Sequence, residues 1–302
     1  MPTLLDLTSQ GDVGTMSDES KLGSVVLMDP QQLYELWERQ NWQSQVIDFT
    51  KDKEDWKGLS EEERGQIAWN LSSFFVGEER VTTQFTGLVA AYESQSEEAF
   101  VCTQQVDEAR HAQHFNRFYE QVVGYDETFE GRLERARDDL NEAFLILFDE
   151  HLVEACNRLL ADHSDIEAKV DFVTTYHMVI EGTLALTGQQ YITDFCESNN
   201  LFPGFVEGFK LISRDEHRHV AYGTWFLQQK CQDPALAKRV QDKLVELLPI
   251  AAGVFVPPGM QLGDSYEILG YSSDEVNEYA FTALSRRLKV IGVSLPAVEA
   301  AA

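Results

Sequence analysis

The sequence predicts an all-α helical bundle, and three observations predict it. Amphipathic segments of helical period follow one another from Ser60 almost to the end. Strand signals are nearly absent, with no long alternation of period two and no Asn-Gly or Asp-Gly hairpin. The connections are short and polar, as antiparallel neighbours in a bundle require.

Taken in order, the first fifty or so residues are mixed, and LYELWERQNW (33–42) reads as a short helix. Ser60-Glu61-Glu62-Glu63 has the form of a capping box, in which a serine and a glutamate three residues on satisfy each other's free backbone N–H groups. It opens a first long helix to about Tyr92. A second is expected over 96–122, ending near Gly124, a third over 127–162, a fourth over 166–199, and a fifth over 204–231 after the Phe202-Pro203-Gly204 break. Two more, over 234–250 and 273–291, flank VPPGMQLGDSYEILGYS (256–272), whose prolines and glycines read as loop. The expected organisation is one domain over 1–302, with an arm over 1–57, a core over about 60–232 and C-terminal helices over 234–291.

Composition narrows the function. The formal charge of −27, from 51 acidic against 24 basic residues, argues against unaided binding to nucleic acid or an anionic membrane surface. A surplus this large suits a high-salt cytoplasm, where counterions screen self-repulsion, and equally an ordinary acidic soluble protein. Cys102, Cys156, Cys196 and Cys231 form no CxxC pair and read as small core hydrophobes. MPTLLDLTSQGDVG has neither a basic leader nor a sustained apolar core, and no apolar run reaches the roughly 20 residues that span a bilayer, so a cytoplasmic enzyme is expected. There is no glycine-rich phosphate loop and no Gly-x-Ser-x-Gly elbow.

The chemistry lies in a repeat: DEARH (107–111) returns as DEHRH (215–219). Each holds Glu-x-x-His, pairing Glu108 with His111 and Glu216 with His219, and residues three apart share one helix face. Either pair alone is weak, since helices carry many such pairs on solvated faces. Here Val101, Phe115 and Phe118 continue the first stripe, and Phe209, Ile212 and Val220 the second. Carboxylates buried in such company cost several kcal/mol unless their charge is matched, and a metal ion matches it.

Two such pairs in a bundle call for one more carboxylate from each neighbouring helix. Glu78 stands 30 positions before Glu108 and Glu181 stands 35 before Glu216. Antiparallel hairpins would turn near Glu93 and near Ser198–Asn199, both in polar stretches, with arms of about 20–25 Å that bring each glutamate level with its partner motif. Leu71, Phe74, Phe75, Val81 and Phe85 surround Glu78, and Val173, Leu184 and Ala185 flank Glu181. The mixture of four carboxylates and two imidazoles suits Mn and Fe, whereas a structural zinc site closes at four ligands with fewer carboxylates. Asp107 and Asp215 are candidates to accept the second ring N–H of a ligand histidine. Arg110 and Arg218 either pair with acids behind the site or are solvated, and His114, His151, His163, His177 and His217 read as surface or packing residues.

With GEERVT (77–82), DEARH (107–111), TYHMVIEGTLALTG (175–188), DEHRHVAYGTW (215–225) and IDFTKDKEDWKGLSEEER (47–64) in view, the chain resembles the ribonucleotide reductase small-subunit superfamily over about residues 45–232. The likeness is to its R2-like ligand-binding oxidases. It implies a ferritin-like fold and a Mn/Fe centre, with Glu78, Glu108 and His111 on the Mn side and Glu181, Glu216 and His219 on the Fe side, two Fe being the alternative. It further implies an ether crosslink between Val81 and Tyr176, a bound long-chain fatty acid, a homodimer and an electron donor that the sequence does not name. The connection from Glu78 to Glu108 is shorter than the family's, which trims the hairpin tip.

The rival within the superfamily is a Mn/Fe ribonucleoside-diphosphate reductase small subunit. The position four residues after the first ligand histidine, a radical tyrosine in many reductases, holds Phe115, which excludes only the common tyrosyl-radical form; more telling against the rival, SLPAVEAAA (294–302) carries no tyrosine for a relay to a large subunit. A third reading, iron storage, uses subunits roughly half this length.

Overall fold

A computed structural model describes residues 25–295. The leader expectation for the first residues and most of 294–302 lie outside them. In chain order the helices are α1 (Pro30–Gln40), α2 (Thr50–Gly58), α3 (Glu61–Gln84) continued by the short α4 (Thr86–Ala90), and α5 (Gln95–Phe118). Then come α6 (Phe129–Arg137), α7 (Glu142–Leu145), α8 (Leu152–Ala161), α9 (Ile166–Val173), α10 (Leu186–Ser198), α11 (Pro203–Lys230), α12 (Pro234–Val254) and α13 (Ser273–Ile291). Three wide π-helical stretches, Tyr119–Val123, Ile146–His151 and Thr174–Ala185, run on from α5, α7 and α9.

The expected bundle is present, with α3 against α5, α5 against α11, and the Thr174–Ala185 stretch between α11 and α12. Ser60 and Glu63 form the reciprocal cap at the start of α3. Both expected turns fall in place, between α4 and α5 and between α10 and α11. One continuous apolar core extends from Leu33 to Val293.

Two expectations need correction, and one helix was not anticipated. The helix expected over 127–162 is broken between α6 and α7, because Asn141 caps a new start through Phe144 N while its amide donates to the carbonyls of Gly253, Val254 and Val256. The 256–272 loop contains a small antiparallel ladder, Glu267–Ile268 with Tyr271–Ser272, turned by Leu269 and Gly270 at φ 52° and 87°. Those two positive angles match the tight hairpin turn usually written Asn-Gly. Finally, α2 forms without an apolar stripe of its own. Its buried Asp52 accepts hydrogen bonds from Gly204 N and Phe205 N, at 2.9 and 2.6 Å, and so caps α11, which has no cap of its own.

Close helix approach is set at Gly223 on α11, where an added Cβ would lie 2.2 Å from the Cβ of His177. Both atoms are fixed to backbone, so the helices themselves would have to part. Gly223→Ala is expected to lower the unfolding free energy by about 2–3 kcal/mol, read from the urea midpoint at unchanged slope.

Candidate metal centre

Four helical spans deliver the six expected residues to one place. Glu78 comes from α3, Glu108 and His111 from α5, Glu181 from the π-helical stretch, and Glu216 and His219 from α11. All are buried, at most 6% exposed. Their donor atoms form two groups, each within 4.8 Å: Glu78, Glu108, His111 and Glu216, and Glu108, Glu181, Glu216 and His219. Each expected triad is therefore assembled, and Glu108 and Glu216 belong to both groups, which spacing alone did not indicate.

Both histidines present Nδ1 to the carboxylates. His111 Nδ1 lies 3.3 Å from Glu78 and 3.5 Å from Glu216, and His219 Nδ1 lies 2.9 Å from Glu108 and 3.1 Å from Glu181. The far nitrogens meet aspartates in a crossed arrangement: His111 Nε2 is 3.3 Å from Asp215 and His219 Nε2 is 3.2 Å from Asp107. Each aspartate orients the histidine of the other motif, leaving Nδ1 turned toward the carboxylates. The aspartates are held in turn by indoles, Trp37 Nε1 donating to Asp107 at 2.8 Å and Trp42 Nε1 to Asp215 at 2.6 Å. Arg218 bridges both, and Arg110 reaches both at 3.0 and 3.4 Å.

The electrostatics fit a pair of cations. Burial pushes Glu78 and Glu181 well above the ordinary carboxylate range. Against the same push, the two histidines hold Glu108 well below it. Burial works against charge on the histidines too, but Glu78 facing His111 and Glu108 facing His219 keep both rings protonated well above their usual range. Protons on Glu78, Glu181 and the two rings offset the buried charge, a role that two divalent ions would take over, leaving all four carboxylates ionised. Glu181 Oε2 and Glu216 Oε2 also lack any hydrogen-bond partner, as buried oxygens awaiting a cation would.

The site opens on a largely apolar cavity of about 80 Å³, whose wall includes Val81, Phe144, Phe148, Ile180 and Leu184 besides the four glutamates. Among the described residues no Lys, Arg or His lines it. Val81 is buried on this wall, and Tyr176 Oη donates to Glu108 at 2.6 Å and to Glu181 at 2.5 Å. Phe115 is fully buried and stacks on Phe74 at 5.8 Å, so that position holds no hydroxyl.

Sequence reasoning missed Trp37, Trp42 and Gln104. Gln104 lies 3.3 Å from Tyr176 Oη and 3.2 Å from His177 Nε2. His177 is a packing residue, as expected, but packs beside the site rather than away from it. The only sequence trace of the two indoles was their place in the short N-terminal helix and just after it.

Bundle and paired buried clusters together define a dimetal-carboxylate protein of ferritin-like fold. A model of the family described as ribonucleotide reductase, small chain, matches residues 28–294, and the chain belongs to that family. Among solved structures it is similar to a tyrosine-to-phenylalanine variant of an R2-like ligand-binding oxidase with an aerobically reconstituted Mn/Fe cofactor, at 27% identity and a TM-score of 0.74, over 88% of this chain and 94% of that one. It is similar also to a valine-to-isoleucine variant with an anaerobically reconstituted Mn/Fe cofactor, at 27% and 0.74, over 89% and 94%. The R2-like ligand-binding oxidase from Sulfolobus acidocaldarius matches at 28% and 0.72, over 87% and 89%. With the paired clusters, this likeness marks the chain as an oxidoreductase. Among the described residues no helix is long and apolar enough to cross a membrane.

Proposed function

We propose that the chain is a Mn/Fe oxidase that uses dioxygen for two-electron oxidation of C–H bonds, with Glu78, Glu108, His111, Glu181, Glu216 and His219 as its metal ligands. The observation that carries this reading is the pair of buried donor groups sharing Glu108 and Glu216 at the end of an apolar cavity. Bound metals, with dioxygen as oxidant, supply the oxidising equivalents. The chain's own residues do the rest: the cavity keeps water from the reacting atoms, Asp107 and Asp215 fix the histidine rings, and Glu108 and Glu181 hold the Tyr176 phenol.

The internal substrate is the pair Val81 and Tyr176. A carbon of Val81 loses hydrogen, the phenol loses its proton, a C–O bond joins the two side chains, and two electrons with two protons leave in all. An external ligand is a long-chain fatty acid: its tail suits the apolar wall, and with no basic side chain among the lining residues, bound cations would supply the positive charge that its carboxylate needs. A homodimer and a separate electron donor complete the reading.

The test is peptide mass mapping of protein loaded anaerobically with Mn(II) and Fe(II), before and after air, with metals counted on the same sample. The expected result is joining of the peptides containing Val81 and Tyr176 with loss of two hydrogens, abolished in Tyr176→Phe while both metals stay bound. Two metals without joining in the unaltered chain would transfer the reading to a Mn/Fe reductase subunit, and loss of metals in Tyr176→Phe would make that residue structural.

A further inference from the structure

Tyr176 and Glu181 are five residues apart. On an α-helix that spacing turns two side chains roughly 140° away from each other, so both could not face one site. Here they hydrogen-bond, because Thr174–Ala185 is a π-helix, whose wider turn brings residues i and i+5 onto one face. Backbone and side chains repeat the five-residue step: Leu186 N donates to Glu181 O, and Thr183 Oγ1 donates to Met178 O at 2.7 Å. Such helices are rare and usually a single turn, so a stretch of 12 residues needs support from outside itself.

That support converges on Gly182, next to Glu181. A Cβ there would lie 2.6 Å from the His177 carbonyl oxygen, five residues back, and 3.5 Å from Arg287 Cδ. Arg287 reaches in from α13, is 5% exposed, and donates from Nη1 to the Gly182 carbonyl. Its Nε has no partner, and among the described residues its one ionisable neighbour of consequence is Tyr279 rather than a carboxylate. Burial pushes the guanidinium down to about 10, which still leaves it charged at neutral pH. A buried cation without a counter-ion is costly. The contact it makes is with the carbonyl of the residue that follows Glu181, inside the π-helical stretch.

We propose that Arg287 is a positioning residue: by holding the Gly182 carbonyl it keeps the turn between Tyr176 and Glu181 wide, so that phenol and carboxylate face the same metal site. The inference deepens the proposed Val81–Tyr176 chemistry, and rests on it for one of two readouts.

Arg287→Met keeps the bulk and removes the donor, while Arg287→Lys keeps a cationic donor. Both are loaded anaerobically with Mn(II) and Fe(II), crystallised, and in parallel exposed to air for peptide mapping. Arg287→Met is expected to bind two metals yet release Tyr176 Oη from Glu181. Its joined fraction should fall by about tenfold or more, since misplacing reacting atoms by about 1 Å can cost two orders of magnitude. Arg287→Lys is expected to restore both. A methionine variant with the Tyr176–Glu181 hydrogen bond and the joined fraction unchanged overturns the proposal. So does one that fails to fold or loses its metals as well, because the role is then structural. If the unaltered chain shows no joining, the crosslink reading fails, and the Tyr176–Glu181 geometry of the variant alone decides for or against Arg287.

Discussion

Glu216→Ala is expected to remove both metals, and Glu78→Ala only one. Glu216 belongs to both donor groups, with one oxygen 3.5 Å from His111 Nδ1 and the other 3.8 Å from His219 Nδ1. Glu78 belongs to a single group. Spacing alone does not rank the two glutamates, since each is one member of an equal set of four. Losing even an outer residue of a metal site costs about 10–100-fold in affinity, so losing a ligand shared by both ions should exceed about 100-fold at each. Metal analysis after anaerobic loading and gel filtration reads the result: close to none bound in Glu216→Ala and about half the normal amount in Glu78→Ala. Two tightly held metals in Glu216→Ala would sink the ligand assignment.

The readable parts of this fold share one property, that their signal is local. Ser60 and Glu63 cap α3 from three residues apart, and Glu-x-x-His places two ligands on one face by helical spacing alone. The midpoint argument for Glu78 and Glu181 worked because the connections are short enough to fold each hairpin back on itself. What stayed hidden depends on distant partners. Nothing in TKDKEDWKG marks Asp52 as the cap of a helix some 150 positions on, and nothing in ERARDDLNEAF marks Asn141 as a partner of carbonyls at the end of α12. The crossing of Asp107 to His219 and Asp215 to His111 follows from how α5 and α11 face each other, while the sequence motifs do not say which histidine each aspartate meets. The π-helical stretch was hidden for a different reason. Its composition does not distinguish a π-helix from an α-helix, and its widening is visible only through contacts five residues apart and from α13.

Arg218 carries the second large effect. Asp107 and Asp215 are fully buried, and the Arg218 guanidinium, 1% exposed, lies 3.0 Å from one and 2.5 Å from the other. Burial alone would drive the Asp215 carboxyl upward; the hydrogen bond from His111 and the charge of Arg218 outweigh it and hold the group well below its usual range. Removing the guanidinium leaves the two buried carboxylates with the more exposed Arg110 and Arg214, which reach Asp215 at 3.4 and 4.0 Å. Breaking a buried pair in this way costs about 3–5 kcal/mol, far beyond the fraction of a kcal/mol typical of surface pairs. Arg218→Met is therefore expected to lose about that much unfolding free energy in the metal-free protein, read from urea titration at neutral pH. A loss below about 1 kcal/mol would mean that the aspartates are satisfied by Trp37, Trp42, Arg110 and Arg214 without it. Metal binding supplies a second and independent reading of the same variant. If Arg218 acts by holding the aspartates that orient His111 and His219, affinity should fall by about 10–100-fold at both positions together, because one guanidinium serves both crossed pairs. A loss confined to one position would show that the two aspartates are held separately.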